Sequence, residues 1–196
     1  MRVSASLLLA SCSPRRAALL TAAGFEFETV SPGGAEKFDI DLTLHELTMW
    51  NAIRKGAPVA RAYPNKIVLA GDTLIALEDE IIGKPADLEQ AAQILRRLSG
   101  QTHEVCSAVF ICHFAAARSA TFHEVSRVHF RRLSSATIKN YLAKVNPLDK
   151  AGAYAAQGCG AEIIAKIDGS HTNVVGLPME KTLAVLAQFG IHPKVS

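Results

Sequence analysis

The 196-residue chain has no apolar stretch approaching the roughly 18–20 residues needed to span a bilayer. Its longest candidate, Val105 to Ala117, is broken by His113 within a strand-like pattern. The N-terminal Met1 to Ala10 has only a four-residue apolar run before Arg15-Arg16, which reads as a strand rather than a signal peptide. Cys12, Cys106, Cys112 and Cys159 lack C-x-x-C spacing and have no His at metal-ligand distance in sequence, which argues against a zinc site or a disulfide framework. A large charge of one sign is missing too: 21 Lys+Arg against 18 Asp+Glu leave +3, too little to advertise nucleic acid or membrane as a partner. Arg96, Arg97, Arg131, Arg132 and Lys139 have no interleaved aromatics, as a nucleic-acid surface would. There is no internal repeat and no low-complexity tract. The expectation is one soluble, cytoplasmic globular domain over 1–196, with reduced thiols and 49% hydrophobic residues to fill its core.

What is present reads as α/β. Leu7 to Ser11 is an apolar strand, Ser13 a candidate N-cap, Pro14 a first helical residue, and Ala17 to Leu20 propagate a helix that stops at Gly24. Phe25 to Val30 alternates with period two, as a half-buried strand does, so the chain opens β-α-β. After a Gly/Pro/Ser-rich loop over 31–38, the pattern predicts a helix from Leu42 to about Ala57, ending before Pro58. Ile67 to Ala70 is a strand expected to stop at Gly71-Asp72-Thr73, followed by hairpin arms Leu74–Leu77 and Glu80–Ile82. Asp87 caps the clearest helix, which ends at Gly100. Long strands Thr102–Phe114 and Ala120–Leu133, a helix near Ala136–Val145, and a final helix Met179–Phe189 complete the reading.

Chemistry concentrates at the turns. Ser11-Cys12-Ser13-Pro14-Arg15-Arg16 sets two hydroxyls beside Cys12 and two guanidiniums at a strand-to-helix junction, where backbone N–H groups and the helix dipole favour an anion. Arginine's planar fork matches phosphate oxygens. The same residues also fit an ordinary capped helix with two solvated arginines. Asp72 suits a Mg²⁺ ligand or a base that orients water, and equally a turn-capping residue beside the Thr73 hydroxyl. Lys84, between Gly83 and Pro85, is either aimed at a phosphate or a solvated loop lysine. Gln157 follows the small-residue segment from Asp149 to Tyr154, which is either a loop that happens to pack closely or a close approach to a ligand whose base edge the Gln157 amide reads. Glu36 is either a solvated carboxylate or a metal ligand, and His123 and His129 share one strand face.

Six segments in order, Leu9–Arg16, Ala70–Thr73, Ile82–Pro85, Leu95–His103, Asp149–Tyr154 and Asn173–Pro178, resemble the Maf family along nearly the whole chain, with 31–65 poorly matched. The resemblance implies a mixed twisted sheet with flanking helices, in two lobes around a deep cleft, similar to the inosine triphosphate pyrophosphatases. It implies hydrolysis of a nucleoside triphosphate to monophosphate and pyrophosphate with a divalent cation, Mg²⁺, Mn²⁺ or Co²⁺, by a homodimer. A non-catalytic nucleotide-binding regulator of septum formation is the rival that the same family suggests. Carried over by position, Ser11, Arg15 and Arg16 hold phosphates, Asp72 accepts the proton and ligates metal, and Lys84, with Lys55 assisting, neutralises the triphosphate. Glu36 stands where the family has a metal-binding Glu after an acidic pair, here preceded by Gly33-Gly34-Ala35. Arg15, Thr73 and Gln157 correspond to specificity positions, and Ala153 to Gly158 resembles the dTTP/UTP branch.

Overall fold

Alternation along three neighbouring strands sorts the apolar residues into two layers. The structure, a computed structural model, describes residues 6–33 and 41–194. In it β1 (Leu7–Ala10) pairs in parallel with β2 (Phe27–Val30) on one side and with β3 (Ile67–Leu77) on the other. Leu7, Leu9, Ile67 and Leu69 share one buried cluster with Leu20 of helix α1 (Pro14–Ala22) and Leu186 of the C-terminal helix Met179–Gln188. Their neighbours Leu8, Ala10, Val68 and Ala70 belong to a second cluster with Ala52, Val59 and Ala60 of helix α2 (Leu44–Ala62). Both faces of these strands are therefore covered, as the near-continuous apolar runs require.

Contacts divide the chain into two compact units, one of Met1–Asp72, Ser107–Glu124 and Gly176–Ser196, the other of Thr73–Cys106 and Val125–Val175. The second holds the short β4 (Glu80–Ile82), antiparallel to β3 with Ile75 opposite Ile82, and helix α3 (Leu88–Leu98). It also holds helix α4 (Ser135–Leu142), β7 (Ile164–Asp168) and helix α5 (His171–Val175). β5 (Thr102–His113) and β6 (Arg118–Phe130) contribute residues to both units, and the C-terminal helix is α6. The strand order is β2-β1-β3-β5-β6-β7, with β4 paired to β3 off that path. This is the mixed α/β sheet expected, and among the described residues no helix is long and apolar enough to cross a membrane.

Two boundaries differ most from the sequence reading; in smaller shifts β6 spans Arg118–Phe130 rather than Ala120–Leu133 and α4 ends at Leu142 rather than Val145. Helix α2 does not stop at Pro58 but runs to Ala62, because Val59 and Ala60 are buried against the sheet and that packing outweighs the hydrogen bond a proline forfeits. Its start is fixed by a capping box: Thr43 Oγ1 accepts from Glu46 N–H at 3.3 Å while Glu46 Oε2 accepts from Thr43 N–H at 2.9 Å. Strand β3 does not end at Gly71-Asp72-Thr73 either; it continues to Leu77, since Leu74, Ile75 and Ala76 are buried and extend the apolar run. The hairpin over Glu78-Asp79 forms as expected, with Glu78 taking the positive φ of 55°.

Candidate functional site

Because β3 runs through Gly71 and Asp72, the two-residue alternation sends them to opposite faces. Asp72 follows Val68 and Ala70 toward α2, where Lys55 Nζ meets its Oδ1 at 2.6 Å. The pair is nearly dry, with side-chain exposures of 16% for Lys55 and 3% for Asp72. Asp72 Oδ2 is buried and takes no hydrogen bond among the described residues. A half-paired buried carboxylate of this kind is costly unless something else arrives at its second oxygen. The helix comes close enough to deliver Lys55 because residue 56 is glycine: a Cβ there would lie 2.9 Å from Ala70 Cβ and would collide with the Phe110 ring.

Gly71 faces the other way, toward α1. A Cβ on it would lie 3.1 Å from Ala108 O and 3.2 Å from Arg16 Nε, so glycine here is what lets the Arg16 guanidinium lie along the strand. Arg16 is buried; its Nε donates to Gly176 O at 2.8 Å and its Nη1 to Ser11 Oγ at 3.3 Å. Ser11 Oγ also accepts from Ser13 N–H at 3.1 Å. Ser13 occupies the N-cap position and Pro14 the first turn, as the sequence suggested, but the Ser13 hydroxyl does not cap the helix. Arg15, half-buried, starts the same turn. Ser11, Arg15, Arg16, Lys55 and Asp72 thus lie in one unit, with Ser11 joined to Arg16 and Lys55 to Asp72.

The second unit holds the other three. Thr73 follows Asp72 on β3 and is half-buried. Lys84 is exposed after β4, and the carbonyl of its neighbour Gly83 accepts from Gly152 N–H at 3.1 Å. Gln157 is exposed at the head of a 3₁₀ turn over Gly158–Glu162. Glu36 lies outside the described residues.

Among the described residues no cluster of three or more His, Cys, Asp or Glu is arranged to hold a metal. Mg²⁺ does not require one: it is ordinarily held by one or two carboxylates together with substrate phosphates and water. The unpartnered Asp72 Oδ2 is a hard oxygen donor of the right kind for that arrangement.

Sequence reasoning did not single out Gly56, Gly71 or the Gly176 carbonyl. A small residue beside each of Lys55 and Asp72 was the only visible signal for the first two. Gly176 lies in the segment Asn173–Pro178, but nothing there pointed to its partner Arg16, 160 positions away.

Comparison with known proteins gives the family of the chain. Residues 6–189 match the family model described as Maf-like protein. A dTTP/UTP pyrophosphatase of Bacillus pumilus is 41% identical over 95% of this chain and 98% of its own length. One from Pelotomaculum thermopropionicum is 40% identical over 95% and 97%. One from Symbiobacterium thermophilum is 41% identical over 94% of each. The chain belongs to the Maf family.

Proposed function

We propose that this member of the Maf family is a cytoplasmic nucleoside triphosphate pyrophosphatase that hydrolyses dTTP and UTP to the monophosphate and pyrophosphate. The names of its relatives support the reaction and the substrate class. The single structural observation that supports it is the buried Asp72 carboxylate, paired at one oxygen with Lys55 and unpartnered at the other.

In the proposed step, water attacks the α-phosphorus in line. The new P–O bond forms as the bond from that phosphorus to the bridging oxygen breaks, and pyrophosphate leaves with the electron pair. Asp72 accepts the proton of the attacking water. Lys55 fixes that carboxylate in direction through the 2.6 Å contact. Ser11, Arg15 and Arg16 grip phosphate oxygens at the start of α1, and Lys84 neutralises charge that builds on the leaving group. Arg15, Thr73 and Gln157 select the substrate; the Gln157 amide both donates and accepts, as a uracil or thymine edge requires. Asp72, and Glu36 in the poorly matched stretch 31–65, are proposed to hold a divalent cation. When bound, that Mg²⁺, Mn²⁺ or Co²⁺ ion supplies electrostatic neutralisation of the triphosphate. A homodimer is proposed on the family resemblance and is read by sedimentation.

Hydrolysis of UTP in ¹⁸O-water tests the reading. Label is expected in UMP, with unlabelled pyrophosphate as the other product. Label in pyrophosphate, or release of orthophosphate, would overturn attack at the α-phosphorus.

A further inference from the structure

We propose that Tyr154, Tyr141 and His103 form a clamp that fixes the backbone from Ala153 to Gln157 and thereby sets the selectivity for the pyrimidine base. This inference rests on the reading of Gln157 as the residue that meets the base.

The segment is held at Tyr154 and Ala155, three and two residues before Gln157. Tyr154 is buried, and its hydroxyl lies 2.8 Å from Nε2 of His103 on β5. The rings of His103, Phe130 and Tyr154 meet edge to face, with centroids 5.0, 5.4 and 4.9 Å apart. One residue on, Ala155 N–H donates to the hydroxyl of Tyr141 on α4 at 3.0 Å, and that hydroxyl lies 3.4 Å from Ala155 O, to which it donates. Tyr141 is fully buried. Behind the segment, Gly160 would set a Cβ 2.7 Å from Ala155 O, so only glycine leaves room for the chain to pass.

The conformation being held is an uncommon one. Gly152 has φ 73° and Ala153, which carries a side chain, has φ 61°. Such backbone persists where its surroundings over-determine it, and it concentrates at sites that must present a group in one orientation. A Cβ on Gly152 would lie 2.5 Å from Ile75 Cδ1, and Gly152 N–H reaches Gly83 O, the residue before Lys84. That hydrogen bond ties the residue before the base-reading segment to the residue before the lysine proposed to sit on the triphosphate.

Phenylalanine in place of both tyrosines would fill the apolar cluster as well without burying a hydroxyl. His103 carries a similar burden, since its Nδ1 is buried and without a hydrogen-bond partner among the described residues. Three buried polar groups spent on one segment are explained by directional control of its backbone. Discrimination between base edges through an amide depends on such control, because a hydrogen-bonding pair tolerates only about half an ångström of misplacement.

Tyr141→Phe and Tyr154→Phe keep each ring and remove each hydroxyl, and Ile138→Ala, a truncation in the same apolar cluster, serves as the control for lost stability. Amide hydrogen exchange over 153–157 and the ratio of kcat/KM for UTP over CTP are measured for all three. Both tyrosine variants are expected to exchange faster there, to raise KM for UTP roughly five- to tenfold with kcat within about twofold, and to narrow the UTP/CTP ratio. Ile138→Ala is expected to lower the melting temperature and leave the ratio alone. Unchanged exchange in both tyrosine variants overturns the clamp. Faster exchange with an unchanged ratio, or an equal narrowing in Ile138→Ala, overturns its role in selectivity. If the wild-type protein releases no pyrophosphate from UTP, the underlying functional reading has failed and the selectivity claim falls with it, whatever the exchange data show.

Discussion

Lys55 Nζ and Asp72 Oδ1 stand 2.6 Å apart, one delivered by helix α2 and the other by strand β3, with the second carboxylate oxygen buried and unpartnered among the described residues. Removing the cation strands a buried charge, which is worse than removing both partners. Lys55→Met is expected to destabilise the protein by about 2–4 kcal/mol. In Lys55→Met/Asp72→Asn the two losses should fall short of additive by about 1–3 kcal/mol. Urea unfolding of the four proteins in the cycle checks this, and strict additivity would mean the pair is not coupled.

The glycine before the carboxylate gives a second expectation. In Gly71→Ala the new methyl presses on Ala108 O and Arg16 Nε, at 3.1 and 3.2 Å. A backbone carbonyl in a sheet has little freedom to retreat, so a cost of about 1–3 kcal/mol is expected. Activity should fall further than stability alone explains, since the methyl bears on Arg16 and on the strand segment that carries Asp72. Thermal melting and kcat measured well below the melting temperature separate the two effects.

Much of this was legible in the sequence because each signal was local. The Asp87 cap, whose Oδ1 accepts from Gln90 N–H at 2.8 Å, and the hairpin at Glu78-Asp79 depend on residues a few positions apart. The end of the strand at Gly71-Asp72-Thr73 was misleading for a physical reason. Gly-Asp-Thr is turn chemistry, yet here the glycine makes room for Arg16 and the aspartate turns to Lys55, and both causes are long-range. Pro58 misleads in the same way, because the burial of Val59 beyond it is a tertiary fact. The one-turn helix α5 lacks the length to show a period at all. Candidate site residues could be named one by one, but the pairing of Lys55 with Asp72 and of Ser11 with Arg16 could not.

Pro58 carries its own test. It lies inside α2 and is exposed, so Pro58→Ala restores a helical N–H donor without touching the core. A gain of about 1–3 kcal/mol is expected, read from the shift of the urea midpoint. A loss would mean that the proline's restriction of the unfolded chain outweighs the hydrogen bond.

His103 makes stability depend on pH. Burial, with a smaller contribution from His129, lowers its pKa from 6.5 to about 4. Above pH 6.5 the ring is neutral in both states and adds no slope. As pH falls from 6.5 toward 4 the unfolded chain takes up a proton that the folded protein refuses, so stability declines by about 1.4 kcal/mol per pH unit across that window. The exposed carboxylates Glu80 and Glu162, held below their usual 4.5 by hydrogen bonds from Arg97 and Lys144, lose their contribution at lower pH, as it falls from 4.5 through their folded values. Urea unfolding at pH 7, 6 and 5 should show the decline in the wild type and a flatter profile in His103→Gln.

Steady-state pyrophosphate release from dTTP and UTP, with Mn²⁺ present, by the wild type and Asp72→Asn tests whether Asp72 is the base of a pyrophosphatase. The wild type is expected to release one pyrophosphate for each monophosphate formed, and the variant to be slower by about 10²–10⁴ while remaining folded. Equal turnover by the two proteins, or no turnover by the wild type, would contradict the account.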